Sequence, residues 1–294
     1  MDDNLRKHDF EIDGSFVVIT GGTSGIGLET AVKLSRAGAS VLITGRGRDR
    51  LDAAKHDIDM RSGNPVRAMP LDLSSFQSIY SFSEKLIDIH GTPDVLVNNA
   101  GVYKRRFEKS AEGYEMTTAV NYLGPFYLTR LLLPHMMDID GEARIVNVVS
   151  DSYHAIKFNP DLFTNKRESG FSAYSKSKRA LMYFNFILAG QLRDTNITVN
   201  CVHPGHSATG IWPSDTWYWR MAGKMIALAA DPPAYAADNI VYAASSGELT
   251  GITGRYIKDM AISRVRDGVF NDGDGKKLWD NTIELLNRYR AAGN

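Results

Sequence analysis

Cysteine is almost missing from this chain: Cys201 is the only one in 294 residues. No disulfide can form within it, and a reducing compartment suits it. Cys201 lies in an apolar run and reads as a small core residue. Excess charge is missing too. Lysine plus arginine number 34 and aspartate plus glutamate 34, so no bulk electrostatic pull toward nucleic acid or anionic lipid exists. Long apolar runs are also lacking. None approaches the roughly 20 residues of a membrane span, and Met1-Asp-Asp-Asn4 is acidic and polar, unlike a signal peptide. No repeat, low-complexity tract or composition break divides the chain. The expectation is a soluble, cytoplasmic, single-domain protein with a core large enough to need neither disulfide nor metal.

What is present is ordered. Phe16-Val-Val-Ile19 is a short β-branched run and reads as a buried strand. Thr20-Gly-Gly-Thr-Ser-Gly-Ile-Gly27 follows it, and residues 28 to 37 then show helical periodicity ending at Gly38. Strand, glycine turn and helix together make a dinucleotide-binding start. Glycines let the backbone approach a pyrophosphate, and the helix N-terminus presents unpaired N–H groups and partial positive charge. The spacing is T-G-x-x-x-G-x-G rather than G-x-G-x-x-G. The next strand, Val41 to Ile43, ends at Thr44-Gly45-Arg46. A carboxylate there would take the ribose 2′-hydroxyl of NAD, whereas an arginine suits the 2′-phosphate of NADP. Arg46 therefore favours NADP(H), with NAD(H) admitted second. Arg48 and Arg50 read as a solvated helix face.

Further strands are predicted at Val66–Leu71, Val95–Val97, Ala143–Val149, Ile197–Val202 and Gly254–Ile257, with helices between them. One long helical stretch, Glu112 to Met137, holds Asn121 and a Pro125 expected to bend it. Such alternation predicts a Rossmann-type, doubly wound α/β fold: a mostly parallel sheet with helices on both faces. Tyr103-Lys-Arg-Arg106 reads as a solvent-facing basic loop.

Tyr174 and Lys178 are four residues apart, one turn on one face of a helix. A cation beside a phenol favours the phenolate and lowers its pKa from about 10, which suits proton exchange with an alcohol or carbonyl oxygen. Tyr153 and Lys157 share the spacing, but Asn159-Pro160 follows at once and proline stops a helix. Residues 172 to 193 instead run without proline, with Leu181, Phe184, Leu188 and Leu192 at helical spacing.

Taken in order, Thr20–Gly27, Asp72, Asn98-Asn-Ala-Gly101, Asn121, Ser150, Tyr174-x-x-x-Lys178 and Pro204-Gly205 resemble the short-chain dehydrogenases/reductases, over roughly residues 14 to 260. Asn121 through Thr129, the long gap from Ser150 to Tyr174, and Gly254 through Asp259 are similar to the retinol-dehydrogenase-like branch. Light-dependent protochlorophyllide reductase is a related neighbour, but it uses several cysteines. The resemblance implies hydride transfer between a nicotinamide and a carbonyl or alcohol carbon. Tyr174 would pass the proton, Ser150 hold the reacting oxygen, Lys178 tune Tyr174 and bond the ribose, and Asn121 keep its helix open and support a water linked to Lys178. It implies cofactor contacts from Gly21, Thr23, Ser24, Gly25, Ile26, Gly27, Arg46, Asp72, Leu73, Asn98, Ala100, Gly101, Tyr174, Lys178, Pro204, Gly205 and Thr209. No metal is expected: His203 and His206 flank Pro-Gly without a third ligand of matching spacing.

Residues 206 to 230 hold three of the four tryptophans, Trp212, Trp217 and Trp219, beside Met221 and Met225. They read as a lid over a bulky apolar carbonyl or alcohol, or as packing or a partner surface. The chain then divides into a tail at 1–13, the main domain at 14–260 and a helical extension at 261–294. Family members often dimerise through the helices bearing Asn121 and Tyr174; the insertion before Tyr174 could obstruct that face, which leaves a homodimer open. Two other classes compete with an enzyme of this kind. An NADP-binding sensor without turnover would usually lose the tyrosine or lysine. An extended-type epimerase or dehydratase on nucleotide sugars would show T-G-x-x-G-x-x-G and a longer substrate domain.

Overall fold

The computed structural model describes residues 12–163, 167–205 and 233–291. Its elements run β1 (Phe16–Ile19), α1 (Gly25–Arg36), β2 (Ser40–Gly45), α2 (Arg48–Ser62), β3 (Arg67–Pro70), α3 (Phe76–His90) and β4 (Val95–Asn98). A short turn α4 (Met116–Thr118), a π turn (Ala119–Leu123) and α5 (Gly124–Met137) follow. Then come β5 (Ala143–Val148), a 3-10 turn (Asp151–His154), α6 (Gly170–Gln191), β6 (Ile197–Val202), α7 (Pro233–Ser245), β7 (Tyr256–Lys258), β8 (Ala261–Ser263) and α8 (Asp272–Ala291).

The strands form one sheet in the order β3-β2-β1-β4-β5-β6-β7-β8, parallel except for β7 against β8. Residues of β1, β4, β5 and β6 are buried throughout, as expected of strands covered by helices on both faces, and their apolar runs lack alternation for that reason. Each fully buried Val, Ile or Leu contributes about 1.5–3 kcal/mol relative to exposure. One apolar cluster, with Val18, Leu96, Phe126 and Phe184, fills one side of the sheet; a second, with Val17, Ile19, Leu34 and Ile240, fills the other. The expected doubly wound α/β architecture is therefore present.

Strand order reverses direction between β1 and β4. At such a switch point the loops at the strand C-termini part, one toward each face, and leave a crevice. The candidate site residues at the strand ends, Asn98 excepted, converge there.

Three local features stand out, the first two unforeseen and the third as the sequence suggested. Beyond β7 the chain turns at Asp259 and Met260, both in the left-handed region at φ 53° and 52°, and returns as antiparallel β8. Aspartate tolerates that region but methionine is not a usual choice for it, so the hairpin carries only half a sequence signal. Second, the long helical stretch around Asn121 changes its winding just before Pro125. Pro125 stands in the first turn of α5, where its missing N–H costs little; the irregularity is the π turn holding Asn121. Third, Tyr153 begins no helix with Lys157. It is buried, stacks on Phe270 and accepts a hydrogen bond from the Arg266 backbone N–H at 2.9 Å.

Helix α8 lies against α5 and α6. Trp279 stacks on Phe184 and meets Phe126, and the hydroxyls of Thr282 and Tyr122 are 2.8 Å apart. Among the described residues no helix is long and apolar enough to cross a membrane.

Candidate active site

The crevice at the switch point has a volume of about 960 Å³. One wall is the glycine turn. Gly21 has φ +68°, and a Cβ on it would lie 2.9 Å from Ala100 Cα. A Cβ on Gly27 would lie 2.4 Å from both the Asn99 amide nitrogen and the Gly21 carbonyl oxygen. These glycines thus serve close packing of the turn on the β4 loop as well as approach to a ligand. Asn99 staples the two together: its Nδ2 donates to Thr20 O at 2.8 Å and Gly21 O at 3.2 Å. Ser24 caps α1 without a side-chain hydrogen bond, and the first turn of α1 has no acidic residue. The helix therefore turns its unneutralised positive end to the crevice, where a pyrophosphate fits.

Of the expected cofactor residues, Gly21, Thr23, Ser24, Gly25, Ile26, Gly27, Arg46, Asp72, Leu73, Ala100, Gly101, Tyr174, Lys178, Pro204 and Gly205 all line this crevice. Asp72 is already half engaged: Oδ1 accepts from the Ser74 backbone N–H at 2.9 Å and hydroxyl at 2.6 Å. The side chain of Asn98 does not reach the crevice. It is buried in the sheet, donating to Thr129 Oγ1 at 3.1 Å and Asn147 Oδ1 at 2.9 Å. Side chains alternate along a strand end, so Asn99 takes the place expected of Asn98. Thr209 and the Trp-rich segment lie outside the described residues.

Three residues read from sequence as solvated also border the crevice, Arg50 exposed as expected and Tyr103 and Lys104 half-buried. Arg50, in the first turn of α2, joins Arg46 at the end of β2. No ion pair engages either among the described residues. Tyr103 and Lys104 line the opposite end, with the Tyr103 ring 5.8 Å from that of Tyr174. Neither residue belongs to a periodic pattern, so only the folded chain brings them there.

The residues expected to handle the proton meet between β5 and α6. Ser150 follows β5 and caps the 3-10 turn; its Oγ accepts the Ser152 backbone N–H at 3.3 Å and is hydrogen-bonded to Tyr174. Lys178, one helical turn beyond Tyr174, is 4% exposed, donates from Nζ to Val148 O at 2.8 Å, and stands 5.9 Å from the tyrosine ring centre. Asn121 is fully buried. Its Oδ1 accepts from Val102 N at 2.8 Å, while Nδ2 donates to Val102 O and Ser177 Oγ, both at 3.0 Å. It ties the β4 loop to α6 through the π turn, a deformation that costs helical regularity and often marks a functional position.

The electrostatics differ from the expectation for Tyr174. Burial raises the phenol above its ordinary value and outweighs the Ser150 hydrogen bond, which lowers it. Burial likewise pushes Lys178 down to about 8. Desolvation, not the neighbouring cation, dominates both groups. Near neutral pH Tyr174 is thus a phenol able to donate, and Lys178 still carries most of its charge.

This site and sheet place the chain among the nicotinamide-dependent oxidoreductases of the Rossmann type. It belongs to the short-chain dehydrogenase family, whose profile matches residues 15–216, and so acts between CH–OH and C=O with NAD(P). It is similar to retinol dehydrogenase 13 of Mus musculus, 32% identical over 290 residues covering 96% of this chain and 86% of that protein. Retinol dehydrogenase 12 of Homo sapiens is 34% identical over 282 residues, covering 94% and 87%. Among solved structures, an uncharacterized protein from Mycobacterium Paratuberculosis superposes with a TM-score of 0.75 at 26% identity, covering 94% of this chain and 95% of that one.

Proposed function

We propose that this chain is an NADP(H)-dependent oxidoreductase acting on a bulky, largely apolar carbonyl compound or the matching alcohol, in the cytoplasm. The observation that carries the reading is one crevice shared by Ser150, Tyr174 and Lys178, the uncapped α1 and two arginines. When bound, the nicotinamide nucleotide supplies or accepts the hydride. The chain's own residues do the rest. Ser150 and Tyr174 orient the reacting oxygen, Tyr174 donates its proton in the reductive direction, and Lys178 stabilises the phenolate left behind.

Arg46 and Arg50 support NADP(H), since no carboxylate stands at the end of β2 to meet a ribose hydroxyl. Arg46→Ala should weaken NADPH binding about tenfold or more and NADH binding about twofold at most, a charge-assisted phosphate contact being worth about 1.5–3 kcal/mol. Equal losses in a titration with both nucleotides would dismiss the phosphate role. Any residual preference in that variant is assigned to Arg50.

Aromatic residues support the apolar substrate. Phe171, one turn before Tyr174 on α6, is 43% exposed and, like Tyr103, lines the crevice. An exposed phenylalanine in a crevice offers area to an apolar ligand. The names of the relatives point to retinol-like compounds, long apolar alcohols, as the first class to try. In a screen of aldehydes, ketones and alcohols with both nucleotides, long or polycyclic apolar carbonyls should give the highest kcat/KM. Best turnover with small sugars or hydroxy acids would sink this part of the reading.

A further inference from the structure

His203 has no role in the proton transfer described above, yet it is 3% exposed and lines the crevice at the end of β6. Both of its ring nitrogens face a partner. Nδ1 accepts the Gly205 backbone N–H at 2.8 Å, so that nitrogen is bare and the ring proton of the neutral imidazole sits on Nε2. Nε2 faces Asp151 Oδ2 at 3.5 Å. Asp151 directly follows Ser150. Its Oδ1 accepts from the Tyr256 hydroxyl at 2.6 Å and its Oδ2 from Lys258 Nζ at 2.8 Å, both on β7. Burial alone would raise the Asp151 carboxyl, but Lys258, Tyr256 and the nearby His203 hold it below the usual range. The ends of β5, β6 and β7 are thus laced through one carboxylate, and the imidazole joins that lacing to the Pro204–Gly205 turn.

We propose that His203 is a positioning residue that couples the Pro204–Gly205 turn to the Ser150 loop, so that the nucleotide side and the proton-transfer side of the crevice keep one register. This rests on the reading that Pro204–Gly205 borders the nicotinamide. The coupling has two halves that separate by substitution. Asparagine also offers a side-chain acceptor to the N–H two residues on, as in an Asx turn, but is too short to span the ring's width to Asp151. Alanine at 151 leaves the Gly205 contact and removes the Ser150 side.

The full-length chain and its His203→Asn, Asp151→Ala and His203→Phe variants are titrated with NADPH by nucleotide fluorescence, then assayed for kcat on the best carbonyl substrate, with thermal midpoints recorded. His203→Asn and Asp151→Ala should keep NADPH affinity within about threefold while kcat falls about tenfold, because a small misplacement of a reacting group is costly. His203→Phe should lose about tenfold in both. If affinity and kcat fall together in all three in step with the thermal midpoint, His203 is merely structural and the coupling is wrong; unchanged kcat in the first two also overturns it. A wild-type chain that binds no NADPH would overturn the proposed function and this inference together.

Discussion

Tyr174→Phe should bind NADPH within about twofold of the wild type and lose about 10²- to 10⁴-fold in kcat, the usual weight of a positioned general acid. The substitution removes only the hydroxyl. The ring keeps its place against Tyr103, 5.8 Å away, so the wall of the crevice is preserved. Ser150 loses one partner but keeps the Ser152 N–H. Stopped-flow or steady-state assays in both directions check this; turnover within tenfold of wild type would remove Tyr174 as the proton donor. The direction of its pKa adds a pH signature. Because burial raises Tyr174, the protonated phenol needed for reduction is available at neutral pH. Alcohol oxidation needs the phenolate and should therefore climb as pH rises above neutral, while reduction falls on the alkaline side.

The second large effect concerns Lys178 and is double-edged. Lys178→Met should lose most turnover, since no ammonium remains to balance the phenolate, yet the unliganded fold should become more stable. Burial lowers the lysine from 10.5 to about 8, so folding penalises the ammonium. Below pH 8 both folded and unfolded chains carry that proton, and the full penalty, about 3 kcal/mol at about 1.4 kcal/mol per pH unit, weighs on the wild type. Between pH 8 and 10.5 the folded chain releases its proton first, and the penalty fades as pH rises. Methionine removes the penalty but leaves Val148 O without its donor, costing about 1–3 kcal/mol. The net expectation at pH 7 is a variant more stable by about 1 kcal/mol, with the gap closing and reversing toward pH 10. Chemical denaturation at pH 7 and 9.5 measures this. A variant less stable at pH 7 and gaining on the wild type at pH 9.5 would show that the buried charge is not a cost. A site that stores such a cost is one where stability has yielded to function.

How much of this was legible beforehand follows from what kind of signal each feature leaves. The glycine turn, the Tyr174–Lys178 spacing and the β-branched strands are local, and local patterns survive in a linear sequence. The end of β6 at Val202 and the parallel sheet were readable for that reason. Arg50, Tyr103 and the Asp151–His203–Lys258 lacing were not, because their meaning lies in which strand ends adjoin. The Asn98–Asn99 pair shows a subtler limit: two identical side chains side by side, and only the pleat decides which enters the crevice. Tyr174 shows another. A cation four residues away is visible in sequence, whereas the depth of burial that overrides it is a property of the packed chain.

Helix α8 carries one more implication. The flanks of α5 and α6, which hold the π turn with Asn121 at one end and Tyr174 on the other, would offer Phe126, Phe184 and Tyr122 to a neighbour. In this molecule Trp279, Leu278 and Thr282 already sit on them. The far side of α8 is a row of i,i+4 charges, Lys276 with Asp280 and Glu284 with Arg288. Those pairs are exposed and satisfied within the helix, so α8 shields the aromatic flank of α5 and α6 from water and turns self-paired charge outward in its place.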